Sequence, residues 1–297
     1  MRKLEVYIEE DGDFVLAGRI QGETWEDARF IYEKSYLENQ SHQPISISLP
    51  FQEDAFSPFE TRCYFEGLLP EGYTRRCVAG WMHVAEEDYL SVLAGLGNEC
   101  LGAVRICEPG AGGCSPSYKK ISREELLEFA KEGASKSAQF LAKAHLSLTG
   151  ASGKTGLYYD NKDGWYMPFG TAPSTHIVKQ SHVRLSGIVA NEQLCLRTAK
   201  ILGIDVPESF IISVGTGEHI LFATKRFDRL MQEDSRVIDG KKVPFRLQQE
   251  DFAQALGVPA SQKYEKIGDS YLKRVFTLLR QYSEFKFATD DLMAQVM

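Results

Sequence analysis

The chain has 297 residues, 43% hydrophobic and 25% charged, enough for a sizeable core in one two-lobed domain or two smaller ones. Its formal net charge of -7 argues against direct, non-specific nucleic-acid binding, which needs a basic footprint. The start Met1-Arg2-Lys3-Leu4-Glu5-Val6 lacks a signal peptide's apolar core, no run approaches transmembrane length, and the six cysteines form no C-x-x-C pair. A cytoplasmic protein with reduced thiols and no membrane contact is expected. The six histidines show no metal spacing.

Leu4–Ile8 alternates like a half-buried strand, Asp11-Gly12-Asp13 is a turn, and Phe14–Ala17 restarts a strand, which predicts a hairpin. Phe30–Tyr32 and Ile45–Pro50 are predicted to add strands. From Pro58 the spacing turns helical through Phe59, Cys63, Phe65 and Leu68-Leu69, and Pro70-Glu71-Gly72 breaks it. Glu87-Asp88 opens a second helix, and Gly102–Ile106 reads as a returning strand. Residues 1–108 are thus a small α+β unit. Pro109 to Pro116, rich in glycine, is the predicted linker.

Ser122 and Glu125 have capping-box spacing and open another helix. Two strands around Asn161–Gly164 form a predicted hairpin. Thr175–Lys179 is a strand ending in lysine, and Asn191-Glu192 begins a helix closed by Gly203. Phe210–Ile212 and Ile220–Ala223 pair as further strands. Lys225–Arg229 is a connector, and helical spacing runs from Glu250 onward.

Ser147 to Leu157 asks for a chemical explanation. It holds three glycines, four hydroxyl side chains and Lys154 in eleven residues. Glycines let a backbone approach a ligand and turn successive N–H groups into one concavity, where hydroxyls and a lysine complete a phosphate site. A G-x-x-x-x-G-K-[ST] nucleotide loop would need glycine at 148, where Leu148 stands, and no parallel βαβ order surrounds the stretch. The sequence order is instead a glycine-rich loop, a strand lysine, a helix with an early glutamate, two strands, a connector and helices. That is the order of a protein-kinase small lobe, in which the lysine holds phosphates and the glutamate holds the lysine.

These residues identify a resemblance. Ile45–Pro50, Phe65–Gly72, Cys100–Val104, Ser147–Leu157, Pro173–Lys179, Asn191-Glu192, Lys225–Arg229, Gln249–Asp251 and Lys263–Glu265 together resemble the HipA-like serine/threonine kinases, toxins of bacterial toxin–antitoxin pairs. The resemblance implies an α+β fold of 1–108, a linker over 109–116, a kinase-like small lobe with an antiparallel sheet over 117–247, and the first helices of an incomplete helical lobe over 248–297. It implies ATP and magnesium as cofactors. Gly150, Ala151, Ser152, Gly153 and Lys154 would form the phosphate loop, with Lys179 on the α/β-phosphates. Arg226 and Phe227 would lie in the adenine-binding connector, Glu192 would pair with Lys179, and Ser147 would be the autophosphorylated serine whose modification ejects the loop. Two departures stand out: Ser152-Gly153 where the family usually has Gln-Glu, and Lys225 where it usually has Glu.

Phosphoryl transfer also needs a base Asp with an Asn five residues on and a second metal-binding Asp. No Asp here has an Asn at that spacing, and Asp-Phe-Gly does not occur, so no catalytic or metal residue is assigned. The expectation is a kinase inactive alone, its catalytic segment supplied by a longer gene or a separately encoded C-terminal half. The alternative is a non-catalytic regulatory or antitoxin-binding module. Taken alone, Lys179, Arg226 and Asp228-Arg229 would be surface charges. The resemblance further implies a HipB-like helix-turn-helix antitoxin as partner, contact with DNA only through it, and an aminoacyl-tRNA synthetase as protein substrate.

Overall fold

A computed structural model describes residues 1–111, 115–150, 152–181, 185–215, 219–266 and 268–281. The first unit is a four-stranded antiparallel sheet with helices against it. Its strands are β1 (Arg2–Glu10), β2 (Asp13–Gly22), β3 (Arg29–Tyr32) and β4 (Val104–Cys107), in the order β3-β2-β1-β4. Asp11 and Gly12 both have positive φ, the geometry of a tight two-residue hairpin turn. Its helices are α1 (Lys34–Leu37), α2 (Pro58–Gly67), α3 (Gly72–Met82) and α4 (Tyr89–Leu96). A reciprocal Ser57–Glu60 capping box with Pro58 in the first turn starts α2.

Ile45–Pro50 is not a strand. Leu49 N–H donates back to Ser46 O at 3.1 Å and Ile45 N–H is taken by the Tyr32 hydroxyl at 3.0 Å, so local bonds replace a ladder. This corrects the sequence expectation: alternating Ile and Ser fits a strand, but side-chain partners claimed the backbone first.

The second unit is a six-stranded antiparallel sheet. Its strands are β5 (Ser117–Lys120), β6 (Lys154–Asp160), β7 (Gly164–Phe169), β8 (His176–Gln180), β9 (Ser209–Ser213) and β10 (Ile220–Lys225), in the order β5-β7-β6-β8-β10-β9. Helices α5 (Arg123–Glu132) and α6 (Ala134–Ala144) precede β6, and α7 (Ile188–Ile201) follows β8. The predicted Ser122–Glu125 capping box is present. Four short strands, β11 (Arg229–Leu230), β12 (Val237–Ile238), β13 (Lys241–Lys242) and β14 (Phe245–Arg246), follow β10 and pair as β11–β14 and β12–β13. Then come α8 (Phe252–Ala255) and α9 (Tyr271–Gln281). The rest of the expected helical segment, 282–297, lies outside the described residues.

Neither β5 nor α6 is evident from the sequence. Gly133, at φ 64, breaks the chain between α5 and α6, and α6 is built from Ala, Ser and Lys with few large apolar side chains. It packs against α3 and α4 of the first unit and against β6 and β7 of the second. One apolar cluster therefore runs from Leu4 and Val6 through Phe65, Leu96, Leu141 and Leu146 to Val178 and Ala223. The chain changes sheets across 109–116, but the hydrophobic core does not divide there.

Candidate functional site: a glycine turn over paired lysines

Alternation along a strand puts every second side chain on one face, and antiparallel register decides which neighbours face each other. In the β6–β8 pair Lys154 lies directly opposite Lys179. Two ammonium groups are thereby brought to one end of the sheet. Lys179 Nζ is held by Glu192 Oε1 from α7 at 2.5 Å and lies 5.6 Å from the Phe222 ring centroid. This is the lysine–glutamate pair expected from the sequence.

Lys154 has no comparable carboxylate among the described residues. Its ammonium is tucked under the preceding turn: a Cβ added to Gly150 would lie 2.5 Å from Lys154 Nζ, and Gly150 has φ +101. Only glycine fits that backbone without strain. Burial, then the neighbouring Lys179 charge, pushes the Lys154 pKa down to about 8. Ser152 and Gly153 complete the turn into β6, where Gly153 O accepts from Gln180 N at 3.1 Å. Ala151 lies outside the described residues. Gly156 is demanded by packing, since a Cβ there would sit 2.6 Å from Leu146 Cδ1 and 2.7 Å from Ser174 Oγ.

The loop is held inward. Ser147 is fully buried, its Oγ donates to Leu68 O at 2.7 Å, and its N–H donates to Glu99 O at 2.8 Å. Gly150 bridges Pro70, and its carbonyl accepts from Glu71 N at 3.2 Å. Outside the loop, Glu71 Oε1 accepts from Thr149 Oγ1 at 3.2 Å and from Lys263 Nζ at 3.0 Å, and Glu71 Oε2 accepts from Tyr264 OH at 2.8 Å. Lys263 also lies 2.7 Å from Asp251 Oδ2. Burial raises the Glu71 carboxyl, but the bonds from Lys263 and Tyr264 outweigh it and hold its pKa below the usual value.

The Arg226 side chain is not the surface charge it would be if taken alone. Its guanidinium is fully buried, grips Asp228 with two bonds of 2.9 and 2.6 Å, and donates to Ser174 Oγ at 3.1 Å and Cys100 O at 3.2 Å. Its amide donates to Thr175 O at 2.9 Å, which leaves its carbonyl as the backbone group on offer. Arg229 Nη2 reaches Glu99 Oε1 at 3.0 Å, and Asp228 Oδ2 accepts from Gly102 N at 2.9 Å. Two arginines and two acids thus neutralise each other in the core. Burial raises both carboxyls, but Arg226 and Arg229 overcome it and hold Glu99 and Asp228 below their usual values. Phe227, next in the connector, is 74% exposed.

Glu71, Glu99, Asp228 and Lys263 are the residues that sequence reasoning passed over. All four fall in or beside stretches that carry the resemblance, which was the available signal. Among the described residues no group of three or more His, Cys, Asp or Glu side chains could hold a metal ion, and no helix is long and apolar enough to cross a membrane. Cys63, Cys77, Cys100 and Cys195 are free thiols.

Comparison with known proteins settles the family. The HipA N-terminal domain model matches residues 4–107, and the HipA-like C-terminal domain model matches residues 146–297, half of the chain by itself. The chain belongs to the HipA-like family. A Sinorhizobium fredii relative named "Putative kinase Y4mE" is 32% identical over 93% of this HipA-like chain and 66% of its own length. The serine/threonine-protein kinase toxin HipA of Shewanella oneidensis is 28% identical over 76% of the chain and 50% of its own length. The chain therefore spans between half and two thirds of these curated relatives. A Shewanella oneidensis HipA structure, solved in complex with HipB and operator DNA, aligns with TM-score 0.67 over 90% of this chain and 59% of that one. At 24% identity that alignment shows a shared fold.

Proposed function

We propose that this HipA-like chain binds ATP between the 150–154 turn and the β6–β8 lysines, as the nucleotide-binding part of a serine/threonine kinase toxin. The observation that carries this reading is the register pair Lys154–Lys179, with Glu192 holding Lys179 at 2.5 Å. Two ammonium groups set side by side repel, and a polyphosphate lying between them removes that cost. Lys154 and Lys179 would hold the phosphates, Glu192 would fix the Lys179 rotamer, and the connector carbonyls with exposed Phe227 would face the base. Magnesium would neutralise charge on the phosphates when bound; its ligands are expected outside the described residues.

Ser147 is the proposed autophosphorylation site. A phosphoserine brings about -1.5 to -2 charges, and the Ser147 hydroxyl sits in a fully buried position against Leu68 O. That charge cannot stay there, so modification would expel the loop and dismantle the phosphate site. The sequence holds no Asp with Asn five residues on. We accordingly propose that transfer requires a segment not present in these 297 residues, such as a separately encoded half. We further propose a cytoplasmic setting, a helix-turn-helix antitoxin of the HipB type as partner, DNA contact through that antitoxin, and an aminoacyl-tRNA synthetase as substrate.

Calorimetric titration with ATP and magnesium tests the site. Saturation at 100 times the dissociation constant should add about 2.7 kcal/mol of apparent stability. No heat and no thermal shift up to millimolar ATP would remove the nucleotide reading. Transfer of labelled phosphate to Ser147 by the isolated chain would remove the claim that another segment is needed.

A further inference from the structure

The phosphate turn is not held by the small lobe alone. Its inner side is sewn to the first unit by Ser147 Oγ on Leu68 O and by Glu71 N on Gly150 O. Its outer side meets a carboxylate from the first unit and an ammonium from beyond the sheet, with Thr149 Oγ1 3.2 Å from Glu71 Oε1 and 3.3 Å from Lys263 Nζ. Lys263 is itself anchored, because Asp251 reaches it through Oδ2 while accepting Gln254 N–H through Oδ1 at 2.9 Å, capping α8. That region is bound back to the first unit by Gln254 Nε2 on Tyr64 O at 2.9 Å and Gln248 Nε2 on Ile45 O at 2.7 Å. Three segments far apart in sequence therefore converge on one loop residue.

We infer that Glu71 and Lys263 are positioning residues that latch the 147–150 loop in its inward, phosphate-binding position, so that docking of the first unit against the 248–264 segment sets nucleotide affinity. This rests on the nucleotide reading for its consequence but not for its geometry. Neither residue reaches Lys154 or Lys179 through a hydrogen bond or ion pair; at longer range Glu71 raises and Lys263 lowers the Lys154 pKa, so their direct effects on that lysine are opposite, whereas loss of the latch acts in one direction for both. Cutting Glu71 removes the partner shared by Thr149, Lys263 and Tyr264. Cutting Lys263 leaves Glu71 and Asp251 as neighbouring unpaired carboxylates, which repel and loosen the same junction.

The test is amide hydrogen exchange on the full chain, read at Ser147 and Glu71, whose N–H groups bond Glu99 O and Gly150 O, and at the β1 strand as a global reference. Calorimetric binding of a non-hydrolysable ATP analogue with magnesium is measured in parallel. Glu71→Ala and Lys263→Met should each speed exchange at both reporter amides about tenfold with β1 unchanged, and weaken the analogue about fivefold or more. Glu71→Gln, which keeps an acceptor, should recover part of the protection. Unchanged reporter amides in both variants overturn the latch, and so does equal acceleration at β1, the mark of a merely structural role. Tyr264→Phe removes one bond at the rim and keeps the test open if Glu71→Ala does not fold; it should give a smaller acceleration confined to the loop, and none would count against the latch. If the loop amides respond while the parent chain binds no analogue, the latch stands and the nucleotide reading fails.

Discussion

Two ionic groups in this molecule look alike in sequence and do opposite jobs. Glu99, Arg226, Asp228 and Arg229 form a closed, charge-neutral cluster with every member at most 5% exposed, joining the first unit to the connector. Lys179 and Glu192 form one pair at one end of the sheet, partly open to solvent, with Lys154 facing it unpaired by any carboxylate among the described residues. The first set balances its charges and is turned inward, with only Glu99 Oε2 and Arg229 Nε of its side-chain atoms left without a hydrogen-bond partner, so it holds the fold. The second is partly exposed and carries excess positive charge, which is what the proposed phosphate binding draws on. Burial and charge balance, not residue type, separate structure from chemistry.

Breaking the closed cluster should have the largest effect. Arg226→Met leaves Asp228 and Glu99 short of a counter-charge in the core and should cost about 3–5 kcal/mol in urea unfolding. The depressed carboxyls of Asp228 and Glu99 add a pH signature. Their contribution is complete above the unfolded carboxylate range, about pH 4–5, and is lost as pH falls toward their folded values. Acid unfolding should therefore move to higher pH in Arg226→Met.

Lys154→Met should separate affinity from stability. Nucleotide binding should weaken about 10- to 100-fold, or roughly 1.4–2.7 kcal/mol, while the ligand-free protein gains on the order of 1–3 kcal/mol because a crowded, partly buried charge is gone. With a folded pKa of about 8, below the unfolded value near 10.4, stability of the ligand-free parent should rise with pH between those values. Nucleotide affinity should fall across the same start point, near pH 8, and thermal shift with and without ATP reads both. Lys154→Met should flatten both trends.

Glu192→Gln sharpens the contrast from the other side. A half-exposed pair contributes about 0–1 kcal/mol to stability, so melting should barely move while ATP binding weakens about fivefold in calorimetry. Ser147→Ala is the smallest change. It loses one buried hydrogen bond, about 1 kcal/mol, and should abolish any labelling of the loop when the chain is supplied with a complementary catalytic segment.

The site was legible in the sequence wherever its parts were local or followed a kinase-like order along the chain: glycines before a strand, a lysine on the next-but-one strand, a glutamate early in a helix. Ile177, Val178 and Lys179 announced a strand by composition, and Asn191-Glu192 fell inside α7. The register that sets Lys154 against Lys179 was not legible, because a strand's partner depends on tertiary pairing. Glu71 with Lys263, and Glu99 with Arg229, were hidden for the same reason, lying more than a hundred residues apart. Ile45–Pro50 misled because its alternation was real while its hydrogen bonds went to Tyr32 and Glu250.

Helix α6 has a practical consequence. It fills the gap between α3 and β6, packing on the helices of the first unit and on the sheet of the second. A gene cut at the glycine-rich 109–116 segment would look like a sensible division into modules, yet residues 1–108 would lose the cover that α6 gives to α3 and α4. Such a piece should aggregate or seek a surrogate helix.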